Sequence, residues 1–334
     1  MASESAPYVR PIHTGSDAQS GDKRDRGFDP SVTSIPWIDV HQHTQTLSWN
    51  DQDEMALGGC EAVATIAYNP HWSPYRPVAT EDVRFQWDLA IKWTDFLDAN
   101  HLFKTYVVAG IHTNAKVENP GELLDVLPAY CRHETVVAIG ETGIEPVQYD
   151  SRWPIDDQKP VVRRQMEIAD ATGLPIIVHT PTTKTGVAAG DKGWGGLRLS
   201  KPDPSIDYQH AKAEATAIDV ELKDDAGLAD EQVVIDHGDP SIVEFVMENT
   251  NCYLGFSVSS PLKGVTSADI ATAIDRYGPD RIVVDSDMMG YRRCDFSCIP
   301  RTMQDLHKAG IERSDIRTVF YENPAEILGL DPAK

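Results

Sequence analysis

Five short segments of the chain end in histidine or carboxylate: Asp39-Val40-His41-Gln42-His43, Ile139-Gly140-Glu141, Val178-His179, Asp236-His237 and Asp285-Ser286-Asp287. His41, His43, His179, His237, Glu141 and Asp287 are the imidazole and carboxylate donors that Zn²⁺, Mn²⁺ and similar divalent ions take. In His41-x-His43 the period of two of an extended backbone places both rings on one side, where both can reach one ion. Glu141 and Asp287 add anionic oxygens, and a carboxylate lying between two ions can bridge them; His179 and His237 complete a second site. Two divalent ions at ~3.5–4 Å would lower the pKa of a bridging water and stabilise charge on the attacked and leaving oxygens, the physics of metal-assisted hydrolysis. Glu141 and Asp287 are then the catalytic carboxylates, with Asp287 the expected proton acceptor. Asp285 shares the face of Asp287 by the same period of two, so either aspartate can fill that role at this stage.

Each element alone has an ordinary explanation: a strand-end histidine commonly just satisfies the core or surface, Glu141 could cap a helix, and Asp287 could sit in a turn. What carries weight is the joint arrangement, because the intervening sequence reads as a repeating unit. From Pro36 onward, short β-rich runs alternate with longer amphipathic ones. The apolar runs Trp37–His41, Ala62–Tyr68, Lys104–His112, Thr135–Glu141, Pro175–His179, Gln232–His237, Cys252–Ser257 and Arg281–Asp285 predict eight strands. Helical spacing appears at Val83, Trp87, Ala90, Ile91 and Leu97 behind an N-cap signal at Thr80, and in GELLDVLPAYCRH. It recurs from Asp157 to Ala171 before Gly173, in SIVEFVMENT, and in TSADIATAIDRYG, which closes on Gly278.

Runs such as LPIIVH and DRIVVD are nearly continuous in apolar residues, as parallel strands buried on both faces require. The pattern predicts an α/β fold, a TIM (β/α)8 barrel forming a single domain over residues 35–330, behind a flexible N-terminal extension at 1–34. An open doubly wound sheet is the runner-up, but no glycine-rich phosphate loop follows the first strand. In a barrel the C-terminal ends of all strands converge on one mouth, so the polar termini above would line a single pocket.

Among 334 residues, 30 are Lys or Arg and 52 are Asp or Glu, a net charge of −22. That balance disfavours an electrostatic grip on nucleic acid or anionic membrane and matches the acidic, mutually repelling surface of salt-adapted proteins, with an acidic mesophilic protein as the alternative. A hydrophobic content of 41% supports one large core and excludes a disordered chain. No apolar run reaches the ~18–20 residues of a membrane span, and the first residues lack the apolar stretch of a secretion signal. The cysteines Cys60, Cys131, Cys252, Cys294 and Cys298 form no Cys-x-x-Cys pair, so a soluble protein of the reducing cytoplasm is expected.

The segments WIDVHQH, AGIH, AIGETGIE, PIIVHTP, VVIDHGD and VVDSD, with a terminal ENPAEIL, make residues 36–330 resemble the TatD-like metal-dependent hydrolases of the amidohydrolase superfamily. His179-Thr180-Pro181 and Gly255-Phe256-Ser257 are more similar to the archaeal and cyanobacterial branch of TIM-barrel hydrolases than to the DNase branch. The resemblance implies two divalent ions, of Zn, Mn, Mg, Co or Ni. His41, His43 and Asp287 would hold one, His179 and His237 the other, with Glu141 bridging and His112 near the substrate, contacting a phosphate or other oxyanion. It implies phosphoester hydrolysis, the DNA phosphodiester included. A lactonase or amidohydrolase acting on a small molecule is the alternative, and a non-enzymatic barrel the third reading.

The chain departs from the family pattern in places. Gly110-Ile111-His112-Thr113 stands where the family has Gly-x-His-Pro, Glu145 where an Asp is common, and the segment after His237 lacks the Cys-Phe of the DNase branch. These departures put nucleic-acid hydrolysis in doubt. Glu141 also stands where phosphotriesterases and dihydroorotases carry a carboxylated lysine, which favours the TatD-like arrangement. Lys184, Lys192, Arg198 and Lys201, on the long segment after His179, and Arg292-Arg293, after the eighth strand, are basic residues on the expected mouth. Of these, Lys184 and Arg292 are taken as binding an anionic substrate. His71, Trp72 and Tyr75 are placed as a substrate wall or a packing loop; His13, His101, His133, His210 and His307 are read as solvated.

Overall fold

The structure is a computed structural model that describes residues 27–70, 78–100, 103–146, 153–181, 207–259, 264–290 and 295–331. Lys184, Arg292 and the other basic residues of the expected mouth lie outside these, as do His13, His71, Trp72, Tyr75, His101 and Cys294.

Eight strands, β1 (Trp37–Gln42), β2 (Cys60–Ile66), β3 (Lys104–Ala109), β4 (Val136–Thr142), β5 (Ile176–Val178), β6 (Val233–Ile235), β7 (Tyr253–Ser257) and β8 (Ile282–Asp285), pair in chain order in one parallel sheet. The sheet returns to its start just beyond β8: the Asp287 N–H donates to the His41 carbonyl at 2.8 Å, the His43 N–H donates to the Met288 carbonyl at 3.0 Å, and Gln42 bridges Met288. The result is a TIM barrel, as the alternation of apolar runs predicts.

Outside it lie α1 (Pro30–Thr33), α2 (Trp49–Leu57), α3 (Thr80–Asn100), α4 (Pro120–Tyr130), α5 (Ile155–Thr172), α6 (Tyr208–Ala226), α7 (Val243–Asn249), α8 (Ser267–Tyr277), α9 (Cys298–Lys308), α10 (Arg313–Arg317) and α11 (Asn323–Ile327). The helix ends carry their expected chemistry: Gly173 closes α5 at φ 71°, and Thr266 forms a capping box with Asp269 at the start of α8. Thr80, read as a cap, is instead the first residue of α3.

Because successive strand residues point to opposite faces, the sheet builds two cores. Ile38, Val40, Ala62, Ala64, Ile66, Val108, Ala138, Ile177, Val234 and Val283 form one cluster, to which the C-terminal Tyr321, Ala325 and Leu328 belong. Their strand neighbours, among them Trp37, Val63, Val107, Ile139, Ile176, Ile235, Leu254 and Val284, share the other cluster with Val83, Trp87, Val162, Met166 and Ile274 of the helices. Among the described residues no helix is long and apolar enough to cross a membrane. Within the segment assigned to an extension, Val32 is buried, the Asp29 N–H donates to Gln304 Oε1 at 3.2 Å, and Gln304 Nε2 donates to the Asp29 carbonyl at 2.5 Å.

Four strands stop sooner than the apolar runs predict, β2 among them, which ends at Ile66 and not at Tyr68. β3 ends at Ala109, β5 at Val178 and β6 at Ile235, so His112, His179 and His237 stand on the loops just past the strand ends. The apolar pattern continues past those points because the first loop residues are themselves buried; Ile111, for example, is fully so.

Candidate active site

These loops and the ends of β1 and β4 bring the polar termini to one point. At its centre is the carboxylate of Glu141. Its Oε2 lies 3.1 Å from His41 Nε2, 3.3 Å from His179 Nδ1 and 3.5 Å from His237 Nε2, and its Oε1 lies 3.1 Å from His112 Nε2. Asp287 Oδ1 lies 3.2 Å from His43 Nε2 and 3.6 Å from His41 Nε2. None of these seven residues is more than 8% exposed. The geometry thus joins His41, His43, His112, Glu141, His179, His237 and Asp287, with His112 against the same carboxylate as the other rings.

The backbone and a set of polar neighbours hold these groups. His237 and Asp287 have positive φ, 58° and 45°, a left-handed conformation uncommon outside glycine and found where the surroundings enforce it. The turn at Asp287 is held by its N–H on the His41 carbonyl and by the Ser259 hydroxyl, which donates to the Asp287 carbonyl at 3.1 Å. Asp236 Oδ2 lies 2.5 Å from His41 Nδ1, which puts the proton of the neutral ring on Nδ1 and leaves that ring's Nε2 lone pair facing Glu141 and Asp287. His237 Nδ1 lies 2.7 Å from the Ser257 hydroxyl. His179 is reversed: its Nε2 faces Glu145 Oε2 at 3.2 Å, so Nδ1 is the nitrogen directed at Glu141. The Asn69 amide, through Nδ2, lies 3.1 Å from His43 Nδ1; with the amide turned over, its oxygen would accept a proton there and free the Nε2 lone pair.

This donor set fits a divalent ion. Three groups, His41 with His43 and Glu141, His41 with Asp236 and His237, and His112 with Glu141 and His179, each offer donor atoms within 4.8 Å of one another. His41 Nε2 and His43 Nε2 are buried nitrogens that make no hydrogen bond among the described residues, although carboxylate oxygens lie near. A buried polar atom aimed at oxygens without hydrogen-bond geometry is what a ligand atom presents.

Residues 38–329 match the family described as TatD related DNase. The chain belongs to that family. An uncharacterized metal-dependent hydrolase of Methanocaldococcus jannaschii is 26% identical over 286 residues, spanning 86% of this chain and 97% of the relative. The TatD-like protein of Archaeoglobus fulgidus matches in structure with a TM-score of 0.61 at 20% identity, over 88% of this chain and all of its own. The phosphotriesterase homology protein of Escherichia coli, solved with phosphate in its active site, has a TM-score of 0.57 at 13% identity, over 90% of this chain and all of its own. Membership of the TatD-related family makes the chain a metal-dependent hydrolase.

In this TatD-family site, burial pushes the Glu141 carboxyl up, but the charges of His112 and His41 hold it well below the usual carboxylate range. Burial works against the His179 imidazolium, yet hydrogen bonds to Glu141 and Glu145 raise it to about 9. Burial opposes charge on His41 too, and there Glu141 and Asp287 prevail and carry it well above the ordinary imidazole value. Of the two rival aspartates, Asp287 faces His41 and His43, whereas Asp285 lies within β8, where burial and then the charge of Asp236 push its carboxyl well up. Asp236, Glu145, Asn69 and Ser257 were given no role by sequence reasoning. Position alone pointed to Asp236, the residue before a strand-end histidine; nothing in spacing points to the other three.

Proposed function

We propose that this chain hydrolyses a phosphoester of a small molecule using two divalent ions. His41, His43 and Asp287 would hold one, His179 and His237 the other, with Glu141 shared between them. The observation that carries this reading is the Glu141 carboxylate, which lies 3.1–3.5 Å from imidazoles of both sets. When bound, such ions acidify a water and stabilise charge on the attacked and leaving oxygens. The protein's own part is positional and acid–base. Asp287 takes the proton of the attacking water on its carboxylate. His112 presents a ring N–H to an anionic oxygen of the substrate, Asp236 and Glu145 keep His41 and His179 in ligating tautomers, and Lys184 and Arg292 contact the substrate's charge.

A net charge of −22 favours a small phosphoester over DNA and an acidic, salt-adapted cellular setting. The free, buried Cys60, Cys131, Cys252 and Cys298 suit the cytoplasm. A second reading, hydrolysis of a lactone or amide, is favoured by the acidity of the site: among the described residues the basic side chains paired with Glu141 are all imidazoles, while Glu145, Asp236 and Asp287 add carboxylate. A panel of phosphomonoesters, phosphodiesters, lactones and dipeptides, assayed in high salt with metal content measured, tests the proposal. Phosphoester turnover that ceases on chelation supports it; lactone or amide turnover without phosphoester turnover selects the second reading. Undiminished turnover by metal-free protein defeats both.

A further inference from the structure

Lys212 lies on the inner face of α6 and is 1% exposed. A lysine is buried only where its ammonium is both paired and hydrogen-bonded. Its Nζ donates to the His237 carbonyl at 2.5 Å and stands 3.3 Å from Asp239 Oδ2. Asp239 is itself fixed, its Oδ1 accepting from the Ser241 N–H at 2.9 Å and from the Ser241 hydroxyl at 2.5 Å. Between the two lies Gly238, whose N–H donates to the Gly255 carbonyl at 2.7 Å and whose missing Cβ would come within 2.9 Å of that same oxygen. One ammonium therefore spans the turn that carries His237 in its left-handed conformation, and that backbone setting decides where the ring goes. With Nδ1 on Ser257, Nε2 comes to 3.5 Å from Glu141.

We infer that Lys212 is a positioning residue for the metal site: by holding the His237 carbonyl from outside the barrel, it sets the ring nitrogen that the second ion would use. The inference rests on the reading of His237 as a ligand. A lysine that merely tied α6 to the barrel through Asp239 would contribute to stability and leave ion binding alone.

The test is a double-mutant cycle on ion affinity, read by competition of Zn²⁺ or Mn²⁺ against a chromophoric chelator, with melting temperature measured in parallel. Lys212→Met is expected to weaken binding of the second ion by about ten- to a hundred-fold, the range seen when a group behind a ligand is removed. Added to His237→Ala, it should weaken binding no further, because both changes act through one ring. Asp239→Asn should stay within about threefold of wild type, since Lys212 keeps its bond to the carbonyl. If Lys212→Met does not fold because Asp239 is left as an unpaired buried charge, Lys212→Met with Asp239→Asn carries neither charge and is compared with Asp239→Asn in the same way. Wild-type affinity in the folded lysine variant, or a full additional loss on top of His237→Ala, overturns the inference. Wild-type protein that takes up fewer than two ions overturns the reading of His237 as a ligand, and the inference with it.

Discussion

Asp236 Oδ2 lies 2.5 Å from His41 Nδ1, while Oδ1 of the same carboxylate accepts the His237 N–H at 2.5 Å and the Ser257 hydroxyl at 3.4 Å. One aspartate thus orients two rings of the site, His41 directly and His237 through its backbone and Ser257. Asp236→Ala is expected to lower metal affinity or activity by about ten- to a hundred-fold. Asp236→Asn, which keeps an acceptor for His41, should lose less. Calorimetric titration of metal-free protein with Zn²⁺ or Mn²⁺ checks both.

Glu141 contacts every ring of the cluster except His43. Glu141→Ala should abolish hydrolysis and leave the protein with fewer ions per chain by elemental analysis, with its far-UV circular dichroism unchanged. Chelator-treated wild type should likewise lose turnover and regain it on adding back a divalent ion. Retention of full metal content by the variant would remove Glu141 from the centre of the site.

The metal-free protein should lose stability as pH rises from about 6.5 to about 9. His179 has its folded pKa raised from 6.5 to about 9 by hydrogen bonds to Glu141 and Glu145 that outweigh burial. A proton held more tightly in the folded state stabilises it, so this contribution is complete below about 6.5 and gone above about 9. His41, also raised, acts in the same direction; His43, lowered by burial, acts oppositely as pH falls. Ion binding needs neutral imidazole, so affinity should climb across the same window. Scanning calorimetry of chelated wild type and His179→Gln provides the check: the variant should show a shallower slope.

Asp219, fully buried on α6, accepts the Ile144 N–H with its two oxygens at 3.0 and 3.2 Å, one residue before Glu145. Burial pushes its carboxyl well above the ordinary range, so an amide is a close substitute. Asp219→Asn should unfold in urea near the wild-type midpoint. Asp219→Ala leaves that N–H without its acceptor and should cost about 1–3 kcal/mol.

Much of the molecule was legible before its fold was known. Eight apolar runs mark the eight strands because a parallel strand covered on both faces must be apolar nearly throughout, and the polar residues of the site fall toward the ends where the strands leave the barrel. The same rule placed His41, His43, Glu141, His179, His237 and Asp287 at one mouth. Strand ends were less legible: buried loop residues such as Ile111 look like strand, so His112 and His237 were read into strands from which the backbone had already departed.

The order of the strands, their shared direction and the residue types gathered at their ends were determined by the sequence alone, through hydrophobic periodicity and the geometry common to all such barrels. Only the tertiary structure decided which nitrogen each ring presents and what fixes it. His41 is set by Asp236, 195 positions away, His179 by Glu145, 34 away, and the His237 turn by Lys212, 25 away. A ring's tautomer and a left-handed turn depend on one or two hydrogen bonds from distant residues. Periodicity records which face a residue occupies and carries no trace of which distant partner that residue meets there.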